Sequence, residues 1–471
     1  INHPLDCPVC DKGGECPLQN LTMDHGKMES RVYFEDKRHS DKHVPLGDLI
    51  FLDRERCVQC ARCIRFQDEV VADPVLQFHD RGVDLEIVTM SDPGFDSYWS
   101  GNTTDICPVG ALTTADFRFG ARPWEMTPAA TVCSQCAVGC NMTASTRREA
   151  KSGGKPVIKR VLPRQNEAVN ELWLCDKGRF THEYVASSER LTSPMMRKDG
   201  ELVAVSWDEA LDAAAEGLQA ATSVAGLAGQ RLSNEDYFML QNLFRKGLKS
   251  DNLDLNNRQI GGGDVVAQVG IASGSDLQQL GKGDAILVVA SDLHEEAPLW
   301  WLRVKQAADR GAALIVINGR FTRLSSHTTH NVQVASGDIV STVRQLVSMA
   351  KVETDGRNPL DAAAETLITA NNLVAFYGYE GLSYEETESL AKALANLLLI
   401  QTDGEPHVGR VNNGLIPVWP YANTQGAWDM GIHPALLPSY KATKTARLDA
   451  AAMFAGATSG ELNALFVVGA D

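Results

Sequence analysis

The sequence predicts an α/β protein in two parts: loop-rich, cysteine-bearing segments, then a doubly wound, mainly parallel α/β domain. Two observations carry this. All eleven cysteines fall within the first 175 residues, and the remaining 296 contain none. From about residue 191 the composition turns rich in Ala, Leu and Val, and strand-like stretches alternate with helix-like ones. That alternation is the pattern of a parallel sheet with crossover helices.

The cysteines form three groups. The first is His3-x3-Cys7-x2-Cys10-x5-Cys16, the second Cys57-x2-Cys60-x2-Cys63 with Cys107-Pro108, and the third Cys133-x2-Cys136-x3-Cys140 with Cys175. Residues 1 to about 125 read as short polar segments around the first two groups. A basic stretch at 147–164 separates ligands of the third, and Gly153-Gly154 marks a turn within it. In the second part, Ser206-Trp-Asp-Glu209 has the capping-box pattern and opens a helix through Ala220. Strands are expected at 284–290, 313–318, 373–377 and 464–468, and helices at 298–310 and 384–400. No repeat of solenoid period is present.

Composition narrows the function. Hydrophobic content of 44% and charged content of 22% are ordinary for a globular protein. A net charge of −16 argues against nucleic acid as a partner, because displacing counterions needs a basic face. No apolar run approaches the ~18–20 residues of a membrane span, so no direct membrane insertion is expected. The N-terminus does not read as a signal peptide, since Cys7 and Cys10 stand where an apolar stretch would be. Paired Cys-x2-Cys motifs without an export signal point to a reducing compartment and metal thiolates rather than disulfides. Both ends look cut: the chain starts at Ile1, and the last expected strand runs almost to Asp471.

Eleven cysteines and His3 make twelve donors, enough for three four-iron cubanes with none left over. Thiolates suit iron–sulfide cubanes, in which each iron takes one protein ligand. In the second group the C-x2-C-x2-C run with a remote Cys-Pro resembles bacterial ferredoxins. A two-cluster ferredoxin would carry cysteine at position 67, where this chain has Gln67, so one cluster is expected here. Arg62 and Arg65, beside Cys63, either offset cluster charge or lie on the surface. The spacing of the third group also suits a structural zinc ion. In the first group the fourth donor is His3, whose neutral imidazole makes the cluster less negative and raises its potential.

Longer motifs carry a more specific resemblance. His3-Pro-Leu-Asp-Cys7-Pro-Val-Cys10-Asp-Lys-Gly-Gly-Glu-Cys16-Pro-Leu-Gln resembles the His-Cys segment of the large iron–sulfur subunit of respiratory complex I, the NADH–quinone oxidoreductases. Asp53-Arg-Glu-Arg-Cys57 and Arg122-Pro-Trp-Glu125 resemble other stretches of that subunit. Cys175-Asp-Lys-Gly-Arg-Phe180, Val205-Ser-Trp-Asp-Glu-Ala-Leu211 and Ala422-Asn-Thr-Gln-Gly-Ala-Trp-Asp-Met-Gly431 are similar to the molybdopterin oxidoreductase family.

The resemblance implies four segments. These are a His-Cys segment at 1–40, a ferredoxin-like segment at 41–125, a third cluster domain at 126–190 and a molybdopterin-oxidoreductase-like α/β domain at 191–471, truncated at its C-terminus. It implies three [4Fe–4S] clusters, a [2Fe–2S] cluster in a missing preceding domain, and a bacterial source, and it weakens the zinc alternative. The implied role is an electron relay from a flavin-bearing, NADH-oxidising partner towards quinone-side iron–sulfur subunits. The implied location is the cytoplasmic side of the bacterial inner membrane, held there by partner subunits.

The alternative is a catalytic molybdopterin subunit such as a formate dehydrogenase. No cysteine follows Cys175 to bind a pterin-held metal, so molybdopterin is not expected. Gly261-Gly262-Gly263 reads as a turn, and His327 and His330 as loop residues without a third donor. Lys177, which follows the fourth cysteine as in molybdopterin enzymes, reads as inherited support behind the cluster rather than a catalytic group.

Overall fold

The computed structural model describes residues 3–27, 29–92, 94–350, 359–402, 405–443 and 447–470. It divides into two compact units. One comprises residues 1–133 and 139–187, the other residues 134–138 and 188–471.

Short elements make up the first unit. Strand β1 (Ile50–Leu52) pairs antiparallel with β2 (Leu112–Thr114), with Leu52 opposite Leu112. Cys57 lies five residues after Leu52 and Cys107 five before Leu112, so this pairing brings two positions remote in sequence to the same end of the sheet. Buried Ile50, Leu52 and Leu112 anchor the pair. Helices α1 (Pro17–His25), α2 (Arg62–Arg65), α3 (Ser100–Ile106) and α4 (Asp176–Phe180) each begin or end beside a cysteine or contain one. Strands β3 (Thr127–Val132), β4 (Asn141–Arg148) and β5 (Pro156–Pro163) form an antiparallel meander. Its second turn uses Gly153 and Gly154 at φ 64° and 78°, a left-handed conformation that suits glycine.

The second unit holds a five-stranded parallel sheet of β8 (Ala285–Val289), β9 (Ala313–Asn318), β10 (His330–Gln333), β11 (Leu373–Tyr377) and β12 (Gly414–Pro417). The spatial order is β10-β9-β8-β11-β12. The order reverses at β8, and right-handed crossovers then send the helices of the two halves to opposite faces, which makes the sheet doubly wound. Every residue of β8 and β11 is buried, as expected for strands covered on both sides. A smaller parallel sheet joins β6 (Val224–Ala228), β7 (Leu253–Leu255) and β13 (Ala464–Val468) in the order β7-β6-β13.

The expected helices appear as α5 (Trp207–Ala220), Pro298–Asp309 and Tyr384–Leu398. Only half of the expected capping box at α5 forms. Ser206 Oγ accepts from Glu209 N–H at 3.2 Å, while the Glu209 carboxylate takes Lys198 Nζ at 2.5 Å instead of the cap backbone. His330 departs from the expected loop: it opens β10 and shares a hydrogen bond with Thr366 Oγ1 at 3.1 Å. His327 ends a 3₁₀ turn.

Candidate metal centres

In the first group a 3₁₀ turn, Cys7–Val9, brings Cys7 and Cys10 onto one loop, and Cys16 caps α1. The Cys16 sulfur accepts from Gln19 N–H at 3.4 Å. The Arg122 guanidinium donates to the Pro8 and Cys10 carbonyls and clamps this loop. His3, Cys7, Cys10 and Cys16 all line one cavity of about 430 Å³, with Lys12, Lys37 and Gly110. A Cβ on Gly110 would stand 2.3 Å from Cys10 Sγ, so only glycine admits the sulfur there. His3 Nδ1 is buried with no hydrogen-bond partner, and burial lowers the pKa of the ring. A neutral imidazole and three thiols around a cavity with two lysines form a donor set that fits an anionic iron–sulfur cluster.

In the second group Gln59 and Ala61, at φ 55° and 61°, curl the loop that carries Cys57, Cys60 and Cys63 into α2. Cys107 ends α3. These four cysteines line a small cavity of about 20 Å³ with Leu52, Val58, Ile87, Leu112 and Arg62; Cys63 and Cys107 are buried in it and Cys60 is exposed. Arg65 points elsewhere and pairs with Glu69 at 2.8 Å on the surface, so of these two arginines only Arg62 lines the cavity. Burial pushes the Cys57 thiol up to about 11 and the Cys63 thiol up to about 12, with neighbouring cysteines adding to both shifts. Deprotonating such a set requires a bound cationic centre, which couples metal to folding.

The segment after Cys107 also touches the first group. Cys16 Sγ lies 3.5 Å from the Pro108 carbonyl oxygen, and Gly110 abuts Cys10. Counting back from Cys107 at ferredoxin spacing reaches Ser97, Ser100 and Thr103, and counting forward from Cys57 reaches Gln67. All four are buried, and none is a thiolate donor.

In the third group β3 and β4 form a hairpin that sets Cys133 opposite Cys140, with Cys133 N–H donating to Cys140 O at 2.9 Å. Cys175 caps α4, and Gly178 on that helix approaches Cys133 Sγ, 3.1 Å from where a Cβ would stand. All four cysteines of this group are buried, Cys136 on the 134–138 segment included.

Sequence reasoning missed the lock between α3 and α4. Gly101 N–H and Ser100 Oγ donate to the Asp176 carboxylate, and Asn102 exchanges hydrogen bonds with both backbone groups of Leu174 at 2.8 and 3.1 Å. Arg179 threads past Gly101, where a Cβ would sit 2.3 Å from its Nε, and pairs with Asp105. The signal available in sequence was a run of Ser, Asn and Thr, which reads equally well as a loop. Lys177 lies half-buried on α4.

In the α/β unit the glycine run packs rather than cradles. A Cβ on Gly262 would meet Ala391 at 2.4 Å and one on Gly263 the Trp428 ring at 2.5 Å, while Gly262, at φ 87°, leads into the helix Gly263–Val269. The carboxyl ends of β8 and β11, where ligands of doubly wound sheets bind, carry Asp292, Glu296 and Glu380. Ser291 Oγ donates to Glu296 at 2.5 Å, and Arg320 pairs with both Asp292 and Glu380. An acidic crevice whose arginine is already paired fits a pterin pyrophosphate poorly. Among the described residues no three His, Cys, Asp or Glu side chains gather closely enough for a single metal ion, and no helix is long and apolar enough to cross a membrane.

Residues 190–471 match the molybdopterin oxidoreductase family model. The chain belongs to that family. Its preceding segments match three iron–sulfur models: the NADH–ubiquinone oxidoreductase-G iron–sulfur binding region at 1–31, the ferredoxin-like domain of NADH–quinone oxidoreductase subunit 3 at 47–113, and the molybdopterin oxidoreductase Fe4S4 domain at 126–187. This family member therefore carries [4Fe–4S]-binding domains before its α/β domain.

The G-type subunit of NADH–quinone oxidoreductase from Streptomyces coelicolor is 34% identical over 511 residues, covering 100% of this chain and 58% of that protein. Subunit 3 from Thermus thermophilus is 43% identical over 319 residues, covering 65% and 39%. The chain thus spans less than two thirds of the length of either relative. Among solved structures, the formyltransferase/hydrolase complex of Methylorubrum extorquens aligns at TM-score 0.40 and 18% identity, over 59% of this chain and 81% of that one.

Proposed function

We propose that the chain is an electron-relay segment of an NADH–quinone oxidoreductase. Electrons from a flavin-bearing, NADH-oxidising partner enter at the Cys57, Cys60, Cys63 and Cys107 site. They continue to the His3, Cys7, Cys10 and Cys16 site, and leave towards quinone-side subunits. The observation that carries the reading is the pair of four-donor cavities sharing the segment from Cys107 to Gly110. When bound, [4Fe–4S] clusters supply one-electron transfer at these sites. The cysteines and His3 hold them, Leu52, Ile87 and Leu112 exclude water, and Lys12, Lys37 and Arg62 offset negative charge. Cys133, Cys136, Cys140 and Cys175 hold a third cluster. The whole works at the cytoplasmic face of the bacterial inner membrane, peripheral through partner subunits.

The α/β domain serves as a scaffold without a pterin. The packed glycine run, the acidic crevice and the lack of a cysteine beyond 175 support this over a catalytic molybdopterin subunit.

Anaerobically purified protein should contain about twelve iron and twelve sulfide per chain, the content of three cubanes. Stoichiometric zinc with a third less iron would remove one cluster, and bound molybdenum would overturn the scaffold. A second test addresses His3. His3→Cys should keep a cubane and lower its potential, since a fourth thiolate adds negative charge. An unchanged potential and EPR spectrum would make His3 a bystander.

A further inference from the structure

Arg56 immediately precedes Cys57 and is 4% exposed. Its guanidinium reaches across to the other cysteine group. Nη2 donates to Asp6 Oδ2 at 2.8 Å and Nε to Asp6 Oδ1 at 3.3 Å, while Nη1 stands 3.4 Å from Asp53 Oδ2. Asp6 immediately precedes Cys7. A two-pronged ion pair, its arginine buried and its aspartate half-buried, therefore joins the residue before the first thiol of one donor set to the residue before the first thiol of the other.

The surroundings fix that arrangement. Asp53 Oδ1 also accepts from the Arg56 backbone N–H at 3.0 Å, and Lys42 Nζ approaches Asp6 at 3.3 Å while bridging to Glu55. The charge is placed beside both sets by the chain itself: the Arg56 backbone adjoins Cys57, and its guanidinium meets Asp6, which adjoins Cys7. A buried ion pair is weak evidence for stability, because desolvation offsets most of the attraction. Arginine, however, cannot lose its proton and cannot be silenced by burial. A fixed cation between two sites that gain electrons favours the reduced form of both, and more strongly away from water.

We propose that Arg56, held by Asp6, is a positioning residue shared by the first two donor sets, whose fixed positive charge raises the reduction potential of both. The proposal rests on the relay reading, in which both sets hold clusters.

The test is an EPR-monitored redox titration of the assembled complex carrying the wild-type chain, Arg56→Gln, Arg56→Lys or Asp6→Asn, with iron counted per chain. Arg56→Gln should lower both potentials at unchanged iron. At a fixed ambient potential this appears as a roughly tenfold lower ratio of reduced to oxidised cluster, about 59 mV for one electron. Arg56→Lys keeps the charge and should recover most of that loss. Asp6→Asn removes an anion and should move the first site the opposite way. Unmoved potentials in Arg56→Gln, or a shift at one site alone, would overturn the proposal. So would loss of iron in both Arg56 variants, which would make the residue a structural strut. Wild-type complex lacking two cubane signals would instead sink the relay reading itself.

Discussion

The two units are built on different principles. In the first, ligand cysteines belong to the apolar core: Cys16, Cys63 and Cys107 pack with Ile50, Leu52, Leu76, Phe95 and Leu112. Its strands β1 and β2 are three residues each, and α3 buries Ser100, Asn102, Thr103 and Thr104. In the second, one core gathers residues of all the central strands, among them Leu287, Val289, Ile315, Ala375 and Leu415, with Leu390 and Leu394 of the Tyr384–Leu398 helix. Such a core folds through hydrophobic burial alone. The first unit gathers thiols whose ionisation burial opposes, so its fold and its metal are linked.

The largest effect that could break this comparison is metal removal. Oxidising and chelating the iron should strip hydrogen-exchange protection from peptides covering 50–52 and 112–114, while peptides covering 285–289 and 373–377 keep theirs. Simultaneous loss of protection in both units would mean that the α/β core also depends on the clusters.

Single substitutions sharpen the same contrast. Gly110→Ala drives a methyl into Cys10 Sγ and should cost the first cluster its iron while leaving the sheet's stability unchanged. Leu287→Ala, in a fully buried strand, should destabilise the α/β unit by about 2–5 kcal/mol with iron content unaltered. Iron loss in Leu287→Ala, or full iron in Gly110→Ala, would contradict the division.

How much of this was legible in the sequence differs between the units for the same reason. Apolar runs at 284–290, 313–318 and 373–377 announce strands because hydrophobic burial alone forms them; the observed strands are Ala285–Val289, Ala313–Asn318 and Leu373–Tyr377. Cysteine spacing announces donor sets, and the pairing of Leu52 with Leu112 explains how the remote Cys107 meets Cys57. The polar helix α3 was not legible, since Thr103 and Thr104 bond back to its own carbonyls while Ser100 and Asn102 find Asp176 and Leu174, some seventy residues later in the chain. The bridge from Arg56 to Asp6 was hidden likewise: local sequence does not show which carboxylate a buried arginine will meet. His330 read as a loop residue because β10 is an edge strand that alternates in exposure and carries polar side chains.

The smallest predicted effect lies in the α/β unit, at the carboxyl end of β8. Burial holds the Glu296 carboxyl up to about 7, with Ser291 donating to it and Glu380 and Asp292 adding negative charge nearby. In the unfolded chain the same group titrates near the ordinary glutamate value, about 4.3. Between those two values the folded state binds more protons than the unfolded state, so stability falls as pH rises. The neutral acid's contribution is fully present below the unfolded value and is lost as pH climbs through about 7. Glu296→Gln keeps a neutral group that accepts from Ser291 and cannot ionise. The wild-type chain should therefore lose denaturant resistance of the α/β unit between pH 5 and 8, and the Glu296→Gln chain should lose measurably less. Iron content should not change with the substitution, because the cluster unit has its own stability. Equal pH slopes in the two chains would show that Glu296 ionises without cost and that the acidic crevice is wetter than its burial indicates.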